Sequence, residues 1–305
     1  MKKVLILPVL IFALSTGWAQ QRPVQSLYMF DPLLINPAYA GTQVQLSATA
    51  IYRNQWVNLD GAPKTFTATI HSGFLKSKMG LGLIMANDQI GVHSDASVYG
   101  VYSYKVKLNR NLSLSMGLQG GFNYLVSDYN QLTLKNAGDP NLSGAISKLN
   151  PNIGAGFFLR SPKYYVGISS PQLIENKVVD LSVGTQAKQH RYYYLHAGTS
   201  RTLSTNIKFV PSVLLRLQDS APISFDINST FVFYSAIGLG VSYRLNDSVV
   251  GLFELQLDDH FHVGYAYDFT TSALNQVSNG SHEIMVNYRL KIPKIHQGLA
   301  CPTYW

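Results

Sequence analysis

Charged residues are scarce in this chain: Asp, Glu, Lys and Arg together make up 13% of its 305 residues. A soluble domain normally carries about a quarter of its residues as charged side chains, so the composition argues against an ordinary soluble enzyme. Cysteine is scarcer still, because Cys301 is the single one. One cysteine excludes an internal disulfide, and stability must therefore come from a packed core or a closed hydrogen-bonded sheet.

Long apolar runs are also lacking beyond the first residues. A helix that spans a bilayer needs roughly 20 apolar residues in succession. The run Val4–Leu14 is shorter, follows two lysines and precedes small residues, which is the arrangement of an export signal. We expect residues 1–19 to be a signal peptide cleaved before Gln20, with no lipid anchor, because no cysteine stands directly after the cleavage site. Any passage through a membrane must then use strands.

What the chain has instead is two-residue alternation, most clearly in residues 261–269. Phe261, Val263, Tyr265, Tyr267 and Phe269 point one way, and His262, Gly264, Ala266 and Asp268 the other. A strand of this kind separates an apolar surrounding from a polar one. The same pattern recurs along the chain, which predicts an all-β fold, a transmembrane antiparallel β-barrel of a bacterial outer membrane. A soluble β-sandwich or solenoid is the alternative, but it fits the low charge and the glycine- and aromatic-rich strands less well.

Alternation and turn residues together predict about 14 strands. They are Val44–Asn54, Lys64–Phe74, Met79–Asn87, Ala96–Leu108, Asn111–Val126, Asn152–Arg160, Tyr164–Ser169, Arg191–Arg201, Asn206–Gln218, Ile223–Phe231, Ser235–Leu245, Val249–Leu257, Phe261–Thr270 and His282–Lys291. An even number predicts that both termini are periplasmic, and that the long connections Ser127–Pro151 and Ser170–His190 lie outside the cell. The predicted domains are the signal peptide, a periplasmic lead-in over 20–43, the barrel over 44–291 and a periplasmic tail over 292–305.

Several charged residues are predicted to face the lumen. They could form an ion-pair network that fills the barrel or line a path for solutes, and the sequence leaves both open. The set comprises Arg53, Lys105, Lys107, Arg160, Lys208, Arg216, Asp226, Glu254, Asp268, Glu283 and Arg289. The formal net charge is +8, and it becomes 8 − 2 = +6 for the mature chain once Lys2 and Lys3 leave with the signal peptide. This modest excess suits anionic lipid head groups or an acidic partner, and no basic stripe suggests nucleic-acid binding.

Signals for catalysis or metal binding are weak. His260 and His262 share a strand face with Asp258 and Glu254, but a polar lumen accounts for them without a metal. Ser, His and Asp residues such as Ser281, His282 and Asp268 occur without a Gly-x-Ser-x-Gly elbow, a His-Glu-x-x-His pair or a phosphate-binding loop. We therefore predict no enzyme activity, no catalytic or metal site and no cofactor.

The lead-in contains a turn-rich segment, Tyr28–Gly41, with two prolines and a final glycine. Those residues disfavour a regular strand or helix. Its apolar side chains, which include Met29, Phe30 and Leu33, must be buried somewhere. They could pack into the mouth of the barrel or dock on a periplasmic partner.

From this segment onward the chain resembles the PorP/SprF family of the type IX secretion system. The residues that carry the resemblance are Asn36-Pro37-Ala38-Tyr39-Ala40-Gly41, Tyr52-Arg53-Asn54-Gln55-Trp56, Gly61-Ala62-Pro63, Gly80-Leu81-Gly82, Asn87-Asp88-Gln89-Ile90-Gly91, Asn152-Ile153-Gly154-Ala155-Gly156, Tyr165-Val166-Gly167-Ile168-Ser169, Pro171-Gln172-Leu173, Gly264-Tyr265-Ala266-Tyr267-Asp268 and Ser281-His282-Glu283-Ile284. The match covers essentially the mature chain, in order.

The resemblance implies a non-enzymatic outer-membrane protein of a Bacteroidota-type bacterium. Its implied partners are membrane lipid, the ring and motor components of the secretion system, and a cargo adhesin with a C-terminal sorting domain, in some members serving gliding motility. Either a general machinery role or a role dedicated to one cargo is compatible with it. The alternative is an outer-membrane porin or solute transporter, which would conduct ions.

Seven residues are the candidates for partner binding under this interpretation: Asn36, Pro37, Tyr39, Gly41, Arg53, Gln55 and Trp56. The first four would shape the periplasmic mouth of the barrel. Arg53, Gln55 and Trp56 could bind a sorting domain through charge-assisted hydrogen bonds and an aromatic anchor. Equally, they could pin the first outer loop onto the barrel rim.

Overall fold

The computed structural model describes residues 25–43, 45–74, 78–131, 144–180, 186–219 and 221–291. The predicted signal peptide and the predicted tail over 292–305 lie outside the described residues. The strands are β1 (Gln45–Asn54), β2 (Lys64–Phe74), β3 (Met79–Ile90), β4 (His93–Lys107), β5 (Ser113–Asp128), β6 (Ala145–Arg160), β7 (Tyr164–Ser170), β8 (Lys177–Asp180), β9 (Gln186–Lys188), β10 (Tyr192–Thr199), β11 (Arg201–Ser204), β12 (Ile207–Gln218), β13 (Ser224–Phe233), β14 (Ile237–Arg244), β15 (Ser248–Gln256), β16 (Phe261–Thr270) and β17 (Ser281–Lys291).

The strands form a closed antiparallel barrel with fourteen positions around its wall. Sequential neighbours pair from β1 to β7 and from β12 to β17, β7 pairs with β10, and β10 pairs with β12. The first strand pairs with the last over ten residues, from Gln45 opposite Lys291 to Asn54 opposite His282, which closes the wall. Strand β11 follows β10 in the chain and pairs with β12 next to the residues that pair with β10, so the two strands together count as one position in the wall. Strands β8 and β9 pair with each other as a separate two-stranded sheet in the connection before β10. Closure pairs each of the fourteen wall strands on both sides among the described residues, as a bilayer requires.

The fourteen predicted strands are confirmed with small shifts in their bounds, and β2 and β16 match the prediction residue for residue. The largest difference is at β6, which begins at Ala145 instead of Asn152 because its pairing with β5 continues to Asp128 opposite Ala145. Backbone pairing above the membrane needs no apolar alternation, so the sequence pattern did not reveal this extension. The predicted loop Ser127–Pro151 is shorter for the same reason.

The two ends of the barrel differ. At the end where β1 begins, which we call the turn end, the connections span only two to five residues, such as 161–163 and 257–260. At the opposite end, which we call the loop end, the connections include the longest ones, over 129–144 and 171–191. This is the asymmetry that outer-membrane barrels have between periplasm and exterior. The assignment of the turn end to the periplasm stays a prediction.

Inward and outward faces follow the predicted alternation. In β16, Phe261 and Phe269 are exposed on the outside, whereas His262 and Asp268 are buried inside. In β5, Met116 and Leu118 are likewise exposed, as is fitting for a lipid-facing wall. Among the described residues, no helix is long and apolar enough to cross a membrane.

Tight turns at the turn end are fixed by local hydrogen bonds. Between β15 and β16, the Asp258 carboxylate accepts backbone N–H bonds from His260 and Phe261, each at 2.7 Å. These two donors favour the ionised form, and they lower the pKa of the Asp258 carboxyl from its ordinary value. The turn therefore holds the two strands in register through an aspartate side chain.

Candidate functional site

The lumen of the barrel is occupied by the chain itself. Residues 25–43, which we call the plug, run through the interior, and all except the half-buried Leu34 are buried. The two hydrophobic clusters found among the described residues both contain plug side chains, and Leu27 and Leu33 in them are fully buried. The sequence left two places for the apolar side chains of this segment, inside the mouth of the barrel or on a periplasmic partner. The structure shows them packed inside the lumen.

The local structure of the plug follows from its prolines and from Asn36. Two short 3-10 helices, Pro32–Leu34 and Pro37–Tyr39, each begin at a proline, whose fixed φ suits the first helical position. The Asn36 side chain caps the second by accepting a hydrogen bond from the Ala38 N–H at 2.9 Å. Gly41 then turns the chain towards β1 with φ +63, in the left-handed region that favours glycine.

A buried ion-pair cluster holds the plug in the loop-end half of the lumen. The Glu283 carboxylate accepts the backbone N–H bonds of Ser26 at 2.7 Å and Leu27 at 2.8 Å. Arg53 binds the same carboxylate at 2.8 Å and Asp268 at 2.6 Å. Charge-assisted bonds of this kind are the strong ones. They join the start of the plug to β1, β16 and β17 together.

The ion-pair cluster continues along the wall. Arg244 lies 3.2 Å from Asp226 and 3.9 Å from Asp268. Next to it, the Asn228 side chain donates a hydrogen bond at 2.6 Å to the hydroxyl of Tyr28 on the plug. Some of the charged residues that the sequence predicted to face the lumen therefore form an ion-pair network. Arg244 also belongs to this network, although the sequence analysis did not predict it.

A second set of polar contacts holds the plug in the turn-end half. The Asn36 amide donates to the Phe157 carbonyl at 3.0 Å and lies 3.1 Å from His196 Nε2. Further on, Arg160 donates to the Thr42 carbonyl at 2.7 Å and Ser103 donates to the Ala40 carbonyl at 2.6 Å. Because plug carbonyls buried in the lumen need donors, these wall side chains satisfy them.

Glycines in the wall make room for the plug. A Cβ on Gly117 would overlap the backbone of Pro37 and Ala38, and one on Gly156 would overlap the Asn36 side chain. A Cβ on Gly80 would overlap the carbonyl of Ala40. Gly80, Gly117 and Gly156 therefore mark positions where the wall and the plug approach each other closely.

The aromatic ring of Tyr39 completes this contact. It packs edge-on against Phe158 at 5.5 Å and against His71 at 5.6 Å between centroids, and it is fully buried. Phe158 in turn stacks on His196 at 5.5 Å. Edge-on and stacked rings at these separations add stabilisation beyond the buried area.

The structure separates the seven candidate partner-binding residues into two groups. Asn36, Pro37, Tyr39, Gly41 and Arg53 are buried in the lumen, with Arg53 only 2% exposed. A partner could contact them only if the plug left its place. Gln55 and Trp56 are half-buried residues at the loop end, so they are the members of the set that a partner can reach there.

Trp56 belongs to a pair of loops that are joined by hydrogen bonds. The connections 55–63 and 271–280 are joined by Val57 N–H to the Gly280 carbonyl at 2.9 Å and Asn279 N–H to the Val57 carbonyl at 3.0 Å. The backbone N–H of Trp56 donates to Ser281 Oγ at 3.1 Å, and Trp56 has φ +49. We call 55–63 and 271–280 the loop pair.

The structure shows where the residues considered for metal or catalytic chemistry lie in the described part of the chain. His262 lies 3.7 Å from Glu254 inside the lumen, and no group of three potential ligands is found there. Ser281 faces the lumen, whereas His282 faces outward and bonds the Tyr265 hydroxyl at 2.7 Å. A serine and a histidine on opposite faces of a strand cannot act together.

The fold is similar to that of solved outer-membrane structures. The structure titled CymD monoaromatic hydrocarbon channel has a TM-score of 0.50 and 13% identity, with 90% of this chain and 94% of that one covered. The Pseudomonas putida toluene transporter TodX has a TM-score of 0.50 and 8% identity, with 88% and 94% covered. At these identities the likeness shows the fold alone.

No curated protein matches the chain significantly. The family model described as type IX secretion system membrane protein PorP/SprF matches residues 18–288, nearly the whole chain. The family match and the closed antiparallel barrel together identify the protein as an outer-membrane β-barrel, as the sequence predicted. The family is one of secretion-system membrane proteins, and the chain belongs to it: it is a member of the PorP/SprF family of the type IX secretion system.

Proposed function

We propose that this barrel acts as a non-enzymatic interaction protein of the type IX secretion system, which supports the secretion or surface attachment of a cargo adhesin through its C-terminal sorting domain. The observation that carries the proposal is the occupied lumen. The plug is bonded to the wall in both halves of the barrel. A barrel whose lumen is largely filled by its own chain favours its surfaces for contact with another protein.

The loop pair is the proposed contact for the cargo. Its backbone hydrogen bonds and the positive φ values of Trp56 and Asn58 fix the loop shape. A fixed loop loses little conformational entropy on binding, and a half-buried tryptophan is a frequent energetic centre of protein interfaces. Gln55 next to it adds an amide for hydrogen bonding. Ring or motor components of the secretion system are proposed to dock at the turn end.

The test is affinity purification of the tagged protein from solubilised outer membranes, with mass spectrometry of the bound proteins. An adhesin with a sorting domain among them supports the cargo role, whereas ring or motor components alone support a general machinery role. The matched control is the same protein with residues 56–60 replaced by a Gly-Ser linker. Cargo that remains bound to that variant at the wild-type level would contradict the loop-pair contact.

A porin or solute transporter is the second candidate, favoured by the fold shared with proteins whose titles name a channel and a transporter. Planar-bilayer recordings separate the two functions. The interaction barrel should conduct little, and deletion of residues 25–43 should raise its conductance. Substantial conductance of the intact protein, with no secretion protein bound, would favour the porin.

A further inference from the structure

The outer face of the wall carries a groove of about 450 Å³ across β13–β16, which we call the outer trench. Its floor is one row of residues that lie directly opposite each other on neighbouring strands: Ser229, Val241, Gly251 and, at the end, Tyr267. Residues in such a row share one face of the sheet. Val241 is 55% exposed, so this face points outward. Neither the family match nor the proposed function assigns a ligand to the trench.

Two rows of larger, exposed side chains border the floor. Successive outward residues of a strand are about 7 Å apart, so each bordering row lies about that far from the floor row. The floor is low because Gly251 has no side chain, and a Cβ there would meet nothing within 4 Å. The row on the turn-end side is Phe231, Leu239, Phe253 and Tyr265, and the row on the loop-end side is Ile227, Tyr243, Val249 and Phe269.

Hydrogen bonds hold the two tyrosine rings at the β16 end of the trench. The Tyr265 hydroxyl bonds His282 Nδ1 at 2.7 Å, and the Tyr267 hydroxyl donates to the Asn279 carbonyl at 3.1 Å. The rings of Tyr267 and His282 also lie 5.1 Å apart between centroids. Both hydroxyls therefore have partners within the protein, and the apolar bodies of the rings line the trench. Side chains that are already held in place lose little conformational entropy when a ligand packs against them.

The position and the width of the trench decide what covers it. Val241 and Gly251 lie near the middle of β14 and β15, so the trench is continuous with the lipid-facing wall and is surrounded by hydrocarbon. Its missing bulk is that of one row of side chains, which is about 7 Å wide. A helix of another protein, with its side chains, is about 10–12 Å in diameter and is too broad to enter. A single acyl chain is narrow enough.

We propose that the outer trench binds one acyl chain of a membrane lipid. Lipid tails are as apolar as the side chains of the wall, so the hydrophobic effect gives no preference for one part of the wall over another. The preference comes from van der Waals contact, because a chain in the trench touches the floor and both bordering rows, whereas a chain on the flat wall touches one surface. The inference does not depend on the proposed secretion role.

Native mass spectrometry of the purified, detergent-solubilised full-length barrel tests the proposal. The probe is dipalmitoyl phosphatidylethanolamine, and glycerophosphoethanolamine, which has the same head group without acyl chains, is the reference compound. We expect one lipid to bind the monomeric barrel saturably, and the compound without chains not to bind. Equal retention of the two compounds, or no saturable lipid binding, would overturn the proposal. A dimer that forms without lipid through this face would also overturn it, because a second copy of the barrel would then cover the trench.

A glycine variant fills the trench. Gly251→Leu should weaken binding of the first lipid about tenfold, since its side chain takes the place of the acyl chain on the floor. Gly100→Leu is the matched control, because Gly100 is an exposed glycine of β4 outside the trench, and the nearest atom to its Cβ is the Gly120 carbonyl oxygen at 3.8 Å. Heat-modifiable mobility in electrophoresis confirms that both variants are folded barrels. Wild-type affinity in folded Gly251→Leu, or an equal loss in Gly100→Leu, would contradict the assignment.

Photo-cross-linking in a bilayer locates the bound chain. The full-length barrel is placed in lipid nanodiscs that contain phosphatidylethanolamine with a diazirine in one acyl chain, and the cross-linked peptides are identified by mass spectrometry. In the wild-type barrel we expect adducts within residues 237–256, which include the floor and both borders of the trench on β14 and β15. Their yield should fall about tenfold in Gly251→Leu and stay unchanged in Gly100→Leu. An unchanged yield in Gly251→Leu would show that the chain does not lie in the trench.

Discussion

Arg53 and Glu283 lie directly opposite each other on β1 and β17, the strands that close the barrel, and their side chains bond at 2.8 Å with almost no solvent exposure. The same carboxylate receives two backbone N–H groups of the plug. One buried carboxylate therefore connects the closing pair of strands to the start of the plug.

Glu283→Gln should destabilise both the barrel and the plug. Removal of one partner from a buried ion pair costs roughly 3 kcal/mol, because the opposite charge stays buried without full compensation. Urea-induced unfolding in detergent measures the loss, and hydrogen exchange of peptide 25–43 measures the release of the plug. Glu175→Gln is the matched control, because its bond to Arg191 is 3.8 Å long and solvent-exposed. That change should cost about 0–1 kcal/mol. Equal stability losses in the two variants would contradict the role of Glu283.

Gly117→Val should displace the plug and keep the barrel. A side chain at this position would overlap the backbone of Pro37 and Ala38. We expect chymotrypsin to cleave the plug after its aromatic residues in this variant, and ion conductance to rise. Gly251→Val adds the same side chain on the outer face of β15, where a Cβ meets nothing within 4 Å, so it should behave as wild type. A protease-resistant plug in folded Gly117→Val would show that the close approach is not required.

Asn36→Ala should loosen the turn-end half of the plug. It removes the cap on the helix Pro37–Tyr39 and leaves the Phe157 carbonyl without its side-chain donor. The expected loss is about 1–3 kcal/mol, measured by urea unfolding and by faster hydrogen exchange at residues 37–43. Asn109→Ala removes a comparable local bond, to the Asn111 N–H, at an exposed turn. Exchange rates that stay at the wild-type value in Asn36→Ala would refute the prediction.

Trp56→Ala should reduce display of the cargo adhesin at the cell surface while barrel assembly continues. The indole lies on the loop pair, whose backbone bonds do not depend on the side chain. Surface immunofluorescence of the adhesin, compared with the amount of folded barrel in the outer membrane, measures the effect. Ile223→Ala is the control, because this residue is 60% exposed at the loop end and lies outside the loop pair. Normal display in Trp56→Ala would remove this residue from the proposed contact.

The barrel wall was predictable because each strand has one face in lipid and one in a polar lumen. That condition imposes alternation on every segment such as 261–269, and a one-residue slip would expose the wrong face. Residues 145–151 were missed as part of β6 because that part of the hairpin carries no such alternation. The β8–β9 hairpin was missed because only backbone pairing defines it.

The contents of the lumen were less predictable. The plug has no helical or strand period, so its sequence indicated buried apolar side chains and turns without indicating a location. Arg244 was not assigned to the lumen, although its alternation with Tyr243 would have placed it there. The contact between Asn36 and His196 joins residues 160 positions apart, which no local pattern encodes. Glycines such as Gly117 could be read from the sequence, but only the fold shows which part of the chain packs closely against each of them.

The pairing of β1 with β17 also joins the two ends of the described chain. Ser26 lies near its start, whereas Asp268 and Glu283, which hold Ser26, lie near its end. The wall closes only when β17 pairs with β1, and these plug contacts need residues of β16 and β17. We therefore expect the start of the plug to be held in place only after the last strands of the barrel have formed.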